Sequence, residues 1–107
     1  MTATLYWAHA PYSNQLKIGR TQSGVHFRLH QIGTKFDLAT IGYITVKDGG
    51  HVAEDTLRYY CRHDLCLRRT TGLDWFDLGL YPTIYPMVSQ FIRELAESGK
   101  LEEPWRR

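Results

Sequence analysis

Short runs rich in β-formers occur in three places along this chain, and apolar residues recur at helical spacing in three others. Ala3 to His9 is rich in β-formers and predicts a first strand, and Gln15 to Arg20 predicts a second. Between them, His9-Ala10-Pro11-Tyr12-Ser13-Asn14 carries turn chemistry, so the two strands form a hairpin with a longer loop. Thr21 or Ser23 then caps a short helix. Val25, Leu29 and Ile32 share one face of that helix, and Gly33 ends it. Leu38 to Val46 is the strongest strand pattern, stopped by Asp48-Gly49-Gly50.

The second half of the chain is mainly helical. His51 to about Arg62 predicts a helix that buries Val52, Ala53, Leu57, Tyr60 and Cys61, with Glu54 and Arg58 four residues apart on one face. His63 to Gly72 reads as a polar, basic loop, and Leu73 to Leu78 as a short aromatic segment anchored to the core. Pro82 to about Ser98 predicts a last amphipathic helix with Val88, Phe91, Ile92 and Leu95 as its apolar stripe and Gly99 as its stop. The order β-β-α-β-α plus a C-terminal helix predicts the α+β class, a three-stranded antiparallel sheet flanked by helices. A chain of 107 residues fits one domain, with a core over about 3–80 and the last helix and tail over 81–107.

Charge sharpens this picture. Net charge is only +2, but all eleven acidic residues lie from Asp37 to Glu103, while Lys17, Arg20, Arg28 and Lys35 give the first 36 residues a charge of +4. An acid-free segment carrying phenols, lysine and arginines predicts a surface that meets a polyanion. No apolar run approaches the roughly 20 residues needed to span a bilayer, and the N-terminus shows no secretory pattern, so a soluble cytoplasmic protein is expected. Cys61, His63 and Cys66 invite a zinc reading. No second Cys/His pair lies nearby, and reduced thiols are the simpler expectation.

The chemistry-bearing residues fall in a recognisable sequence. Leu5-Tyr6-Trp7 is followed by Lys17-Ile18-Gly19-Arg20-Thr21, then by Arg28, Glu54 and Asp74-Trp75-Phe76. Over roughly Leu5 to Leu78 this resembles the GIY-YIG nuclease superfamily, and more closely its small phage- and bacteria-associated branch with a Lys-Ile-Gly second motif and a late Glu-Trp-Phe element. The resemblance implies that Tyr6 is the first-motif tyrosine, Arg28 the helical arginine and Glu54 the metal-binding glutamate. Lys17 stands where the wider family has a second tyrosine, Asp74 replaces the branch's glutamate, and the late asparagine of many family nucleases has no counterpart.

Phosphodiester hydrolysis needs an activated water, a cation on the developing phosphorane charge and help for the leaving oxygen. Glu54 offers a hard oxygen suited to Mg²⁺ or Mn²⁺, which keeps most of its waters. Arg28 offers a planar fork for phosphate oxygens. Tyr6 is the expected base, and Lys17 is expected to position the strand backbone. Arg20, His26, His30, Arg68 and Arg69 are further DNA-contact candidates, although His26 and His30 suit solvent equally well, and Trp75-Phe76 suits a core anchor. The expected function is a divalent-metal-dependent DNA endonuclease, phage or mobile-element encoded, monomeric or weakly self-associating. The rival is a GIY-YIG-fold module binding DNA or a host protein without catalysis. A third reading is an oligomerising structural protein using Phe91, Ile92 and Trp105.

Overall fold

A computed structural model describes residues 2–22, 40–72, 74–79 and 84–102. Strand β1 (Ala3–Ala10) and strand β2 (Gln15–Thr21) form the expected hairpin. Their antiparallel register pairs Tyr6 with Gly19, Trp7 with Ile18 and Ala8 with Lys17. Asn14 makes the turn possible. It adopts a left-handed φ of 51°, which asparagine tolerates better than most residues. Its side chain donates to the Gly79 carbonyl at 2.8 Å, and its Oδ1 lies 2.9 Å from His9 Nε2.

Strand β3 (Thr40–Val46) pairs antiparallel with the other side of β1, setting Trp7 opposite Gly42. A 3₁₀ turn at Asp48–Gly50 leads into helix α1 (His51–His63). The chain then adds two very short strands, β4 (Arg68–Arg69) and β5 (Trp75–Asp77), before helix α2 (Ile84–Glu97). The fold is α+β, as expected, but among the described residues the sheet has five strands, in the order β3-β1-β2-β5-β4, where three were predicted. The basic loop contributes an edge strand, and the aromatic segment pairs with β2, Leu16 lying opposite Phe76. Burial drives this addition, because Leu16 and Phe76 are both fully buried.

One face of the sheet and the two helices share a single core. Leu5, Trp7, Leu16, Ile18 and Phe76 meet Ala53, Leu57 and Cys61 of α1 and Tyr85, Val88, Ile92 and Leu95 of α2. The C-terminal helix is therefore part of the domain's core and not an appendage to it. Val52 was expected inside but is 42% exposed. The inward arc of α1 passes through Ala53, Thr56, Leu57 and Cys61 instead, and Tyr60 is only partly buried against it. Similarly, Phe91 lies at the margin while Tyr85 takes a place in the α2 stripe, donating to the Trp7 carbonyl at 3.1 Å. Pro86 falls in the first turn of α2, where a backbone N–H has no intrahelical acceptor to lose. Gly99, with φ of 77°, follows the helix end as its expected stop.

Two aromatic–glycine contacts fix the centre of the sheet. A Cβ on Gly42 would lie 2.2 Å from Cε2 of Trp7, and one on Gly19 would lie 2.4 Å from the Tyr6 hydroxyl. Each glycine leaves the space in which a ring lies flat across the neighbouring strand. The predicted helix with Val25, Leu29 and Ile32 lies outside the described residues. Among those described, no helix is long and apolar enough to cross a membrane.

Candidate active site

A polar concavity of about 230 Å³ opens where β1, β2, α1 and the approach to β5 meet. Tyr6 comes from β1, Lys17, Gly19 and Arg20 from β2, Glu54 and Arg58 from α1, and Asp74 from the residue before β5. Residues separated by almost fifty positions in sequence, Tyr6 and Glu54, thus share one wall-lined space. Strand alternation explains the first of these placements. Leu16 and Ile18 enter the core, so Lys17 between them points to the opposite side, the side on which Gly19 also lies. Helix periodicity explains another, since Glu54 and Arg58 lie one turn apart beside the buried Ala53 and Leu57.

Glu54 is a buried carboxylate, and a buried charge requires partners. Its Oε1 lies 2.9 Å from Arg58 Nη2 and 3.5 Å from Arg20 Nε. The i,i+4 pair is therefore real, and it is one part of a larger network. Arg58 also reaches Asp55 at 2.8 Å and donates from Nε and Nη2 to a single oxygen of Asp74. Lys17 takes the other Asp74 oxygen at 3.1 Å, with its ammonium 5.8 Å from the centre of the Trp75 ring. Arg20 is anchored further by its Nη1, which donates to the Gly49 carbonyl at 3.3 Å.

The electrostatics follow from this geometry. Burial alone would raise the Asp74 carboxyl, but hydrogen bonds and charge from Arg58 and Lys17 outweigh it and hold the group below its ordinary range. Burial would lower the Arg58 guanidinium, yet Asp74, Glu54 and Asp55 together raise it. Three cations, Lys17, Arg20 and Arg58, face two carboxylates, Glu54 and Asp74, across the concavity, and Asp55 pairs with Arg58 from outside it. The acid-free N-terminal segment consequently does not make an acid-free face. Its lysine and arginine are met by carboxylates delivered from α1 and from the approach to β5.

Not every expected residue lies here. Arg28, His26 and His30 lie outside the described residues. Arg68 and Arg69 sit on β4, not among the residues lining the concavity. Arg68 is 81% exposed, while Arg69 turns its guanidinium over the Phe76 ring at 6.0 Å. Cys61 is buried in the core, which pushes its thiol up to about 12, whereas Cys66 is exposed. Sequence reasoning missed Asp74 and Arg58 as members of the site. The available signals were the four-residue spacing from Glu54 and the position of Asp74 in the Asp-Trp-Phe element.

Comparison of the chain with protein-family models, with curated proteins and with solved structures returns no match. The chemistry of the donor set must therefore be judged directly. Among the described residues, no three His, Cys, Asp or Glu side chains gather as a metal cage. Both ion pairs of Glu54 fall on Oε1. One carboxylate fits a Mg²⁺ or Mn²⁺ ion that keeps most of its waters and takes its remaining oxygens from a phosphate.

Proposed function

We propose that this chain is a divalent-metal-dependent endonuclease of GIY-YIG type that hydrolyses DNA phosphodiester bonds. One observation carries the reading: Tyr6, Lys17, Gly19, Arg20, Glu54 and Asp74, all members of the motif series, line the same concavity. A phosphodiester entering it meets the guanidinium of Arg20 or Arg58 and the ammonium of Lys17, which neutralise its non-bridging oxygens. Tyr6, beside Gly19, orients the attacking water and in its phenolate form takes the water's proton, while the P–O bond to the leaving oxygen breaks and solvent protonates that oxygen. Glu54 would hold Mg²⁺ or Mn²⁺, which supplies Lewis-acid polarisation of the phosphate and a more acidic water. Arg28, by resemblance, adds a further phosphate-binding fork. In this reading the protein works in the cytoplasm of a host cell, encoded by a phage or mobile element.

The test is incubation of purified protein with supercoiled, linear and branched DNA in Mg²⁺, Mn²⁺ or EDTA. Metal-dependent nicking by wild type, lost below detection in Glu54→Gln, supports the enzyme. Undiminished cleavage by that variant removes the role given to Glu54. A second reading, a DNA- or protein-binding module without catalysis, is favoured by the pairing of both lining carboxylates with cations. DNA binding without metal-dependent cleavage would select it.

A further inference from the structure

Arg58 and Lys17 hold Asp74 in an arrangement that resembles an anion caught in a receptor. Arg58 places Nε and Nη2 on Oδ1, and Lys17 places its ammonium on Oδ2, so the two carboxylate oxygens bridge two cations. Two non-bridging phosphate oxygens present the same acceptor pair to the same donors. The cations are the more buried partners. Lys17 is 11% exposed and Arg58 15%, while Asp74 is 33% exposed and borders the open concavity.

The Arg58 fork is also set independently of Asp74, and the Lys17 backbone is held in the sheet. Lys17 is fixed within β2 by pairing with both β1 and β5, and Arg58 lies within α1. Arg58 is held by Asp55 on Nη1 and by Glu54 on Nη2. Loss of the Asp74 contact therefore leaves an aligned fork and an ammonium facing the same volume. A buried ammonium that has lost its ion pair and a guanidinium Nε–H that has lost its acceptor are costly, which favours refilling that volume with an anion.

We propose that Asp74 stands in the phosphate position of an anion subsite made by Lys17 and Arg58, and that an incoming phosphodiester displaces it. The inference rests on the phosphodiester reading of this concavity and makes Arg58, unassigned by the motif series, a substrate-binding residue. Asp74 becomes an internal competitor that sets how tightly the site takes phosphate. Its removal changes the lining from three cations against two carboxylates to three against one.

The test is binding of a fluorescent oligonucleotide by the full-length chain in EDTA, with inorganic phosphate as competitor. Asp74→Asn should bind both about tenfold more tightly than wild type, the effect of roughly one unit charge removed from a partly buried site. Salt dependence of oligonucleotide binding should steepen, because more cations are available to phosphate. Arg58→Gln added to Asp74→Asn should cancel the gain, and Asp74→Glu, which retains the charge, should stay close to wild type. A gain that survives Arg58→Gln, or no gain in an Asp74→Asn variant that is folded at the assay temperature, overturns the proposal.

Should Asp74→Asn fail to fold, titration of wild type with phosphate followed at the Arg58 Nε–H by NMR decides the matter. A saturable shift at that proton supports displacement, and its absence overturns it. The two readings fail separately. Metal-dependent cleavage by wild type without any gain in Asp74→Asn sinks only the competitor. Tighter phosphate binding by Asp74→Asn in a chain that never cleaves DNA sinks only the nuclease.

Discussion

Tyr6 and Trp7 are consecutive on β1 and face opposite ways, yet each lies across a glycine on a neighbouring strand. Trp7 crosses Gly42 of β3 on the core side, and Tyr6 crosses Gly19 of β2 on the side that opens into the concavity. Their surroundings differ. The Trp7 indole is fully buried, donates to Ser89 Oγ at 3.0 Å and has Arg93 above it at 5.5 Å. The Tyr6 ring is as inaccessible, but its hydroxyl end borders a space lined by charged groups. One spatial device thus serves packing in one direction and a site in the other. The difference lies in whether the ring has anywhere to move.

The largest expected effect follows from the Trp7 side. In Gly42→Ala the new methyl meets the middle of a fixed indole, so overpacking should cost about 2–3 kcal/mol. For a domain of this size that lowers the melting temperature by roughly 10 °C or more, measurable by circular dichroism. The next effect comes from Gly19→Ala. There the clash falls on the far end of the Tyr6 ring, which the adjoining concavity lets tilt, so the stability loss should stay near about 1 kcal/mol. If the chain is the nuclease proposed above, metal-dependent cleavage should fall proportionally far more, because the phenol leaves its place. Equal melting losses for the two alanines would erase the distinction.

A smaller change probes the support behind Trp7. Tyr85→Phe removes the donor to the Trp7 carbonyl and should cost about 1 kcal/mol by chemical denaturation. Burial pushes the Tyr85 phenol up to about 12, so it remains a donor throughout the working pH range. The smallest effect belongs to the charged side. Asp74 has a folded-state pKa below its ordinary value of 3.8, so its ion pairs contribute stability that is present above that pH. The contribution is lost as pH falls through the folded value. The melting difference between wild type and Asp74→Asn should therefore close below about pH 4. A difference that widens on acidification would contradict the pairing.

The hairpin, the third strand and both described helices were legible because their patterns run for seven residues or more. Strands β4 and β5, of two and three residues, are too short to show a period. They exist because Leu16 and Phe76 are buried together, a contact sixty positions long that no local pattern contains. The site divides in the same way. Tyr6, Lys17 and Glu54 stood out through their place in a motif series, whereas the Lys17–Asp74–Arg58 bridge depends on pairing across 57 and 16 residues. Val52 is hydrophobic but lies off the buried arc of its helix, so its hydrophobicity alone does not place it. Its neighbour Glu54 is buried because two arginines compensate it.

Strand β4 lies at one border of the sheet and consists only of Arg68 and Arg69. Such a border is too brief and too strongly charged to template a strand from another molecule. Like charges would meet if two copies approached along it. The sheet therefore stops growing at this end, which protects the chain against the edge-to-edge stacking that leads to fibres. The same two arginines that end the sheet thus discourage a second copy from pairing along it.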